Sequence, residues 1–380
     1  MKNYTYCDLE DFRRSYKENV HGYLSLTVCV FGSIANIFNI CVLRTKQMKS
    51  PTNLILTGLA IADLLVMLQY IPFTLHRNFH SSPVRYTHYN YYWAVFYKYH
   101  SLFTLILHFI ACALTVILAV WRYVFVSQIH TNEICSNMRK TGLVIILTYI
   151  ICPVICLPIF STLDIIEYQQ TCDLNGVIID KEYRFTYNAS QLKNETIYLL
   201  HPNDPYFISI WIYSLLLKLC PCILLSLLSY KIIAVLIETR RRRMKLLRSS
   251  GSRGGDGGKG GSASIQLYKE NQADRTTKML LAVLFLFLLT EFPQAIVGQV
   301  SALYGNVFLD ECYAALGDVM DIVALINSSI NFILYCTMSR QFRETFREIF
   351  RIKAVAHWVH PETVQTSTEE TRLETKMSTV

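Results

Sequence analysis

Long runs without a charge alternate with short basic segments along this chain. No Asp, Glu, Lys or Arg occurs in 22–43, 99–121 or 141–163. A helix of about 20 apolar residues crosses the hydrocarbon core of a bilayer. Four more apolar stretches carry isolated polar residues: 54–75 with Asp63, 207–236 with Lys218, 279–303 with Glu291, and 314–337 with Asp318 and Asp321. The pattern predicts an all-α membrane protein, a bundle of seven transmembrane helices. After the seventh span Phe342, Phe346 and Phe350 recur every four residues, with Arg343, Glu344 and Arg347 on other faces. That spacing predicts a short amphipathic helix over 339–352, lying in the membrane interface.

Composition agrees and removes alternatives. The chain is 52% hydrophobic and 17% charged, against about 25% charged in soluble domains. A soluble enzyme, a disordered chain and a secreted disulfide scaffold are excluded. The net charge of +8 is not a nucleic-acid footprint, because its carriers sit at span ends. Arg44, Lys46 and Lys49 follow span one, Arg139 and Lys140 precede span four, residues 240–248 follow span five, and more basic residues follow span seven. All four segments fall on one side, which the positive-inside rule makes cytoplasmic. The expected product is a multi-pass plasma-membrane protein with an extracellular N-terminus, 1–21, and a transmembrane domain, 22–337. The first 21 residues hold no apolar stretch, so span one is expected to act as an uncleaved anchor.

Three glycosylation triplets, at Asn3, Asn188 and Asn194, fall on the assigned outer face. A long third inner loop, 238–278, contains a Gly-rich linker that is no phosphate loop, since Lys259 is followed by Gly260. A cytoplasmic disordered tail, 353–380, ends the chain. Of 12 cysteines, eight lie in apolar runs and read as small buried hydrophobes; Cys135 falls in an inner loop, and Cys7, Cys172 and Cys312 face an oxidising side.

The span ends carry a resemblance. Asn36 in span one, Leu59-Ala60-Ile61-Ala62-Asp63 in span two, Trp121-Arg122-Tyr123 closing span three, Pro221 and Pro293 in spans five and six, and Asn331-Phe332-Ile333-Leu334-Tyr335 in span seven resemble the rhodopsin-like (class A) G-protein-coupled receptors. The stretches Ser50-Pro51-Thr52-Asn53-Leu54, Leu118-Ala119-Val120-Trp121-Arg122-Tyr123 and Thr290-Glu291-Phe292-Pro293-Gln294 look like invertebrate myosuppressin and FMRFamide-like peptide receptors, the nematode branch most of all. The resemblance implies a receptor for short amidated neuropeptides ending in Arg-Phe-amide, signalling through heterotrimeric G proteins of the inhibitory Gi/o class, and not an enzyme. The competing readings are a receptor for an unrelated neuropeptide and a seven-span transporter or channel.

The resemblance also assigns roles. Trp121, Arg122 and Tyr123, with Pro293, Asn331 and Tyr335, correspond to the coupling and activation machinery. Trp121 replaces the acid that restrains this arginine in most relatives. Asn36, Asp63, Asn327 and Asn331 correspond to a polar network that can hold a sodium ion, although Ala111 stands where a serine ligand is common. His108, Lys218 and Glu291 are implied at similar depth near the bundle centre. An isolated charge there costs too much to leave unpaired, so a Lys218–Glu291 pair is expected as the pocket floor. Asp318 or Asp321 is the expected counterion for the peptide arginine, with Gln294 or His108 near its amide. The usual disulfide from the outer end of span three has no cysteine here, where Tyr97 stands. Cys172 is left to pair with Cys7 or Cys312. Thr366, Ser367, Thr368 and neighbouring glutamates imply phosphorylation and arrestin binding, and Ser378-Thr379-Val380 resembles a PDZ-domain ligand.

Overall fold

The computed structural model describes residues 7, 9–79, 84–127, 137–179, 189–203, 209, 211–251, 260–304, 308, 312 and 314–350. Among them, seven helices are long and apolar enough to cross a membrane: Asp11–Leu43, Pro51–Asn78, Tyr91–Val126, Met138–Phe160, Tyr213–Thr239, Leu281–Ser301 and Leu316–Met338. These are spans one to seven. Polar caps fix where three of them begin. Ser50 Oγ accepts from the Asn53 N–H at 3.1 Å, with Pro51 in the first turn. Asn90 accepts from the Trp93 N–H at 3.0 Å, and Asn137 from the N–H of Arg139 at 2.9 Å.

Spans one to four pack in sequence, five packs on six, six on seven and seven on one, and span three touches two, four, five and six. Gly32 shows how tightly they meet. A Cβ there would lie 3.0 Å from Met67 Sδ of span two and 3.0 Å from Ser329 Cβ of span seven. Small residues give such approach, and between membrane helices packing rather than water exclusion supplies the attraction. The main core runs through spans one, two, three and seven, around Leu56, Met67, Leu114, Leu118 and Tyr335. A second cluster of Cys112, Leu225, Ile232, Leu284 and Phe287 joins three to five and six.

Three features differ from the pattern reading. A two-stranded antiparallel sheet joins spans four and five: β1 is Leu163–Asp173 and β2 is Leu192–Pro202, in register from Leu163↔Pro202 to Asp173↔Leu192. Its β-branched and aromatic residues suit a strand, but β1 buries its residues without the clean alternation that identifies one. Beyond β1 the chain turns back at Asp173, whose Oδ1 accepts from the N–H groups of Asn175 and Val177 at 2.8 Å each. Gly176 supplies the positive φ of 77° that this turn requires. The bridge Arg85↔Val177 lays the span two–three connection against this turn, and Cys172↔Ile178 pairs the returning chain with β1.

Second, span one does not begin at Gly22. A helix over Glu10–Tyr16 continues through a π-turn, Lys17–His21, into Gly22–Leu43. Third, the helices of spans five and six extend to Gly251 and start at Gly260, so most of the segment read as a loop is helical. Its Arg, Lys, Leu and Met residues are good helix formers. Linker residues 252–259 lie outside the described residues, as do Cys135, Asp310, Glu311 and the tail 351–380.

The helix after span seven is present as Arg340–Phe350. Phe342 and Phe346 are buried. Phe38 of span one meets Phe346 at 5.5 Å and Phe350 at 4.9 Å between ring centroids. The phenylalanine stripe therefore packs on spans one and seven. Arg343 Nη1 donates to the carbonyls of Cys336 and Thr337 at 2.9 Å each, satisfying the free end of the span-seven helix.

Candidate functional site

Four spans converge on one buried ion pair. Lys218 Nζ donates to Glu291 Oε2 at 2.5 Å and to Gln294 Oε1 at 2.9 Å. His108 Nε2 lies 2.9 Å from the same Glu291 oxygen and 2.7 Å from Lys218 Nζ. That nitrogen can donate to the carboxylate or accept from the ammonium, but one tautomer cannot do both. Gln294 Nε2 donates onward to the Met320 carbonyl at 2.8 Å. Lys218 sits in the π-helical turn Tyr213–Leu219, and Glu291 lies two residues before Pro293 inside the span-six helix. Spans three, five, six and seven are thus tied by side chains that a low-dielectric interior forbids to be unpaired. Among the described residues, Glu291 Oε1 has no hydrogen-bond partner. The expected Lys218–Glu291 pair is present. The sequence did not foresee His108 sharing the same carboxylate oxygen or Gln294 reaching the span-seven backbone.

The two acids of span seven have different surroundings. Asp318 is buried and already paired: Arg77 Nη2 of span two donates to its Oδ1 at 3.0 Å, and His21 Nε2 lies 3.9 Å from the same oxygen. Asp321 is exposed, and accepts from the Tyr70 hydroxyl at 3.3 Å. Its bond to the buried Tyr70 of span two turns the carboxylate toward the other spans. Arg77, His21 and Tyr70 gave no separate signal in the sequence, since each reads as an ordinary span-end or core residue.

Asp63 Oδ2 accepts from Asn331 Nδ2 at 3.2 Å. Asn36 instead donates to the carbonyls of Gly32 and Ser328 at 3.0 Å each. A cavity of about 20 Å3 is lined by Asp63, His108, Thr115, Asn327, Ser328 and Asn331 among others, a volume that fits one water or small ion. Thr115 and Ser328 are oxygen donors that the sequence reading did not include. His108 belongs to both this cavity and the Lys218–Glu291 network.

At the other end of span three, Trp121 Nε1 donates to Thr141 Oγ1 of span four at 3.3 Å. Arg122 is buried, with its guanidinium 5.5 Å from the Phe125 ring centroid. Tyr335 is buried against Phe342 at 5.4 Å. The tryptophan in the place of the usual acid thus anchors to span four.

The disulfide departs from expectation. Cys7 bonds Cys312, while Cys172 is free and buried. Burial pushes the Cys172 thiol above its ordinary value, and Glu195 and Asp173 add to this. Cys172 sits in the bridge to Ile178. Tyr97, in the place of the missing span-three cysteine, meets His76 Nδ1 through its hydroxyl at 2.6 Å. His76 stacks between Trp93 at 3.5 Å and His88 at 3.9 Å. Of the glycosylation triplets, Asn194 is exposed on β2; Asn3 and Asn188 lie outside the described residues.

Known proteins resemble this chain in sequence over most of its length. The family described as Serpentine type 7TM GPCR chemoreceptor Srw matches residues 23–353. The G-protein coupled receptor dmsr-1 of Caenorhabditis elegans is 31% identical, over 87% of this chain and 68% of its own length. The sex peptide receptor of Drosophila melanogaster is 28% identical over 92% and 76%, and neuromedin-U receptor 2 of Mus musculus 24% over 88% and 75%. The seven-span bundle, its polar centre and these likenesses agree: the chain belongs to the serpentine 7TM GPCR chemoreceptor Srw family and is a rhodopsin-like, class A G-protein-coupled receptor, a non-catalytic signalling protein related to several peptide-hormone receptors.

Proposed function

We propose that this receptor binds short neuropeptides ending in Arg-Phe-amide, as a myosuppressin-type receptor, and activates the inhibitory Gi/o class of G protein. One observation carries the ligand reading: Asp321 is exposed and turned toward span two beside Tyr70, while Asp318 is committed to Arg77. A guanidinium entering from the hairpin end meets Asp321 as its counterion. Below it the peptide amide has Gln294, His108 and the second oxygen of Glu291 as polar partners. The Phe ring has the aromatic wall of Tyr70, Phe73 and His100, where Phe73 and His100 stack at 4.0 Å. Sequence likeness to a sex peptide receptor and a neuromedin-U receptor supports a peptide in place of an amine. The absence of any acid in 99–121 supports it further.

In this reading the hairpin end is extracellular and the Arg122 end meets the G protein at the plasma membrane. Pro293 lets span six tilt as the Lys218–Glu291 network reorganises. Trp121, Arg122, Tyr123, Asn331 and Tyr335 pass that movement inward, and a sodium ion in the Asp63 cavity favours the resting state. The helix Arg340–Phe350 lies along the inner interface. Glycans at Asn3, Asn188 and Asn194, arrestin on the phosphorylated tail and a PDZ partner at Val380 complete the proposal. The test is a panel of amidated Arg-Phe peptides and their free acids on cells expressing the full chain, read with sensors for several G-protein classes. Amide-selective Gi/o activation is expected. A response to an unrelated peptide alone, or ion flux without any G protein, would overturn it.

A further inference from the structure

Cys7 and Cys312 are 305 residues apart in sequence and 5.5 Å apart at Cα. Their bond ties the segment ahead of the first helix to the approach to span seven. The helix that follows Cys7 is exposed over 11–15 and meets the bundle at Tyr16 and His21. Phe12 stacks on Tyr16 at 5.8 Å, and Tyr16 meets the His21 ring edge-on at 5.8 Å. His21 is fully buried 3.9 Å from Asp318 Oδ1, the oxygen that also takes Arg77 at 3.0 Å. The next residue is Gly22, where a Cβ would fall 2.7 Å from Asn78 Cβ. Ser25 Oγ then lies 3.4 Å from Thr74 Oγ1, and Tyr23 packs edge-on to Phe79 at 5.0 Å. The helix is therefore held at one end by a covalent bond near span seven and at the other by close packing on span two. Between them it covers the buried side of Asp318. Asp321 is three residues further along span seven, on the same face.

We propose that residues 10–21 and the Cys7–Cys312 disulfide form a wall of the ligand entrance. The wall keeps Asp318 in its pair with Arg77 and leaves Asp321 to receive a cationic peptide group. This rests on the peptide-receptor reading for the identity of the ligand, though not for the wall itself. The bond acts by preorganisation. With it intact, the ordering of the N-terminal segment precedes ligand arrival; without it, binding must order that segment as well, and affinity falls.

The test compares the full-length receptor with C7S, C312S and C7S/C312S. Three quantities are read: amount at the cell surface, potency of an amidated Arg-Phe peptide in G-protein activation, and amide hydrogen exchange of the purified, ligand-free protein. The expected result is a potency loss of about tenfold, equal in both single variants and the double one, because breaking one bond exhausts the effect. Exchange over residues 10–21 rises in all three variants. Wild-type potency in the double variant, or single losses that add, would overturn the proposal. If the variants do not reach the surface, brief treatment of surface wild-type receptor with dithiothreitol replaces them, with the same tenfold loss expected and unchanged potency contradicting it. If no Arg-Phe peptide activates the wild type, the ligand reading fails separately. The exchange measurement then decides alone: unchanged protection of residues 10–21 in C7S/C312S removes the wall.

Discussion

Asp318 and Asp321 are chemically alike and three residues apart, yet their partners separate them. Asp318 shares its Oδ1 with Arg77 and His21, whereas Asp321 accepts a tyrosine hydroxyl and is exposed. Asp321→Asn should lower peptide potency at least about tenfold, the scale of a lost charge pair, with normal surface amount. Asp318→Asn should instead lower the thermal stability of the purified receptor, because Arg77 is left without its carboxylate. Changing Arg77 to Gln as well should recover part of that loss. Dose–response curves and a thermal-shift assay separate the two outcomes. The buried Lys218–Glu291 pair is more demanding. Removing either charge leaves the other in a poor dielectric, at a cost of about 3–5 kcal/mol. Lys218→Glu and Glu291→Lys singly should reduce folded receptor at the surface, and the double exchange should restore it in part. A double exchange that recovers neither surface amount nor signalling would remove the pair from the account.

At the scale of elements, the spans were legible because about 20 uncharged residues in a row have few stable alternatives to a membrane helix. The hairpin was not. β1 mixes Asp, Glu and Gln with Ile and Tyr, so period-two patterning is blurred, and its pairing is with residues 19 to 39 positions away, in the register Leu163↔Pro202 to Asp173↔Leu192. The extension of span one to Glu10 was also hidden, since residues 10–21 are charged and polar; it is held by tertiary contacts at His21 and by the disulfide. The helix Arg340–Phe350 was visible from its phenylalanine spacing, but its docking on Phe38 was not. Phe346→Ala should cost about 3 kcal/mol or more, typical of a large aromatic deletion in a packed core, read as a lower thermal-shift midpoint. The Tyr97 hydroxyl bonds His76 and so joins spans two and three. Tyr97→Phe removes that hydroxyl bond and should cost about 1 kcal/mol, measured in the same assay.

For the whole molecule, the polar exceptions inside the spans form two connected levels. The upper one holds Asp321, Gln294, Lys218 and Glu291; the lower one is the Asp63 cavity; His108 lines both. Sequence arithmetic found most members, since an ionisable residue in an apolar run is costly enough to mark function. It missed Arg77, His21, Ser328 and Thr115, whose roles depend on which helix faces which. The central claim is that Asp321 receives the arginine of an amidated peptide. The most direct measurement is a two-by-two cycle: wild-type and Asp321→Asn receptors, each titrated with the Arg-Phe-amide peptide and its analogue carrying neutral citrulline in place of that arginine. The account predicts that citrulline lowers potency about tenfold or more on the wild type and has little further effect on Asp321→Asn. Equal losses on both receptors would contradict it.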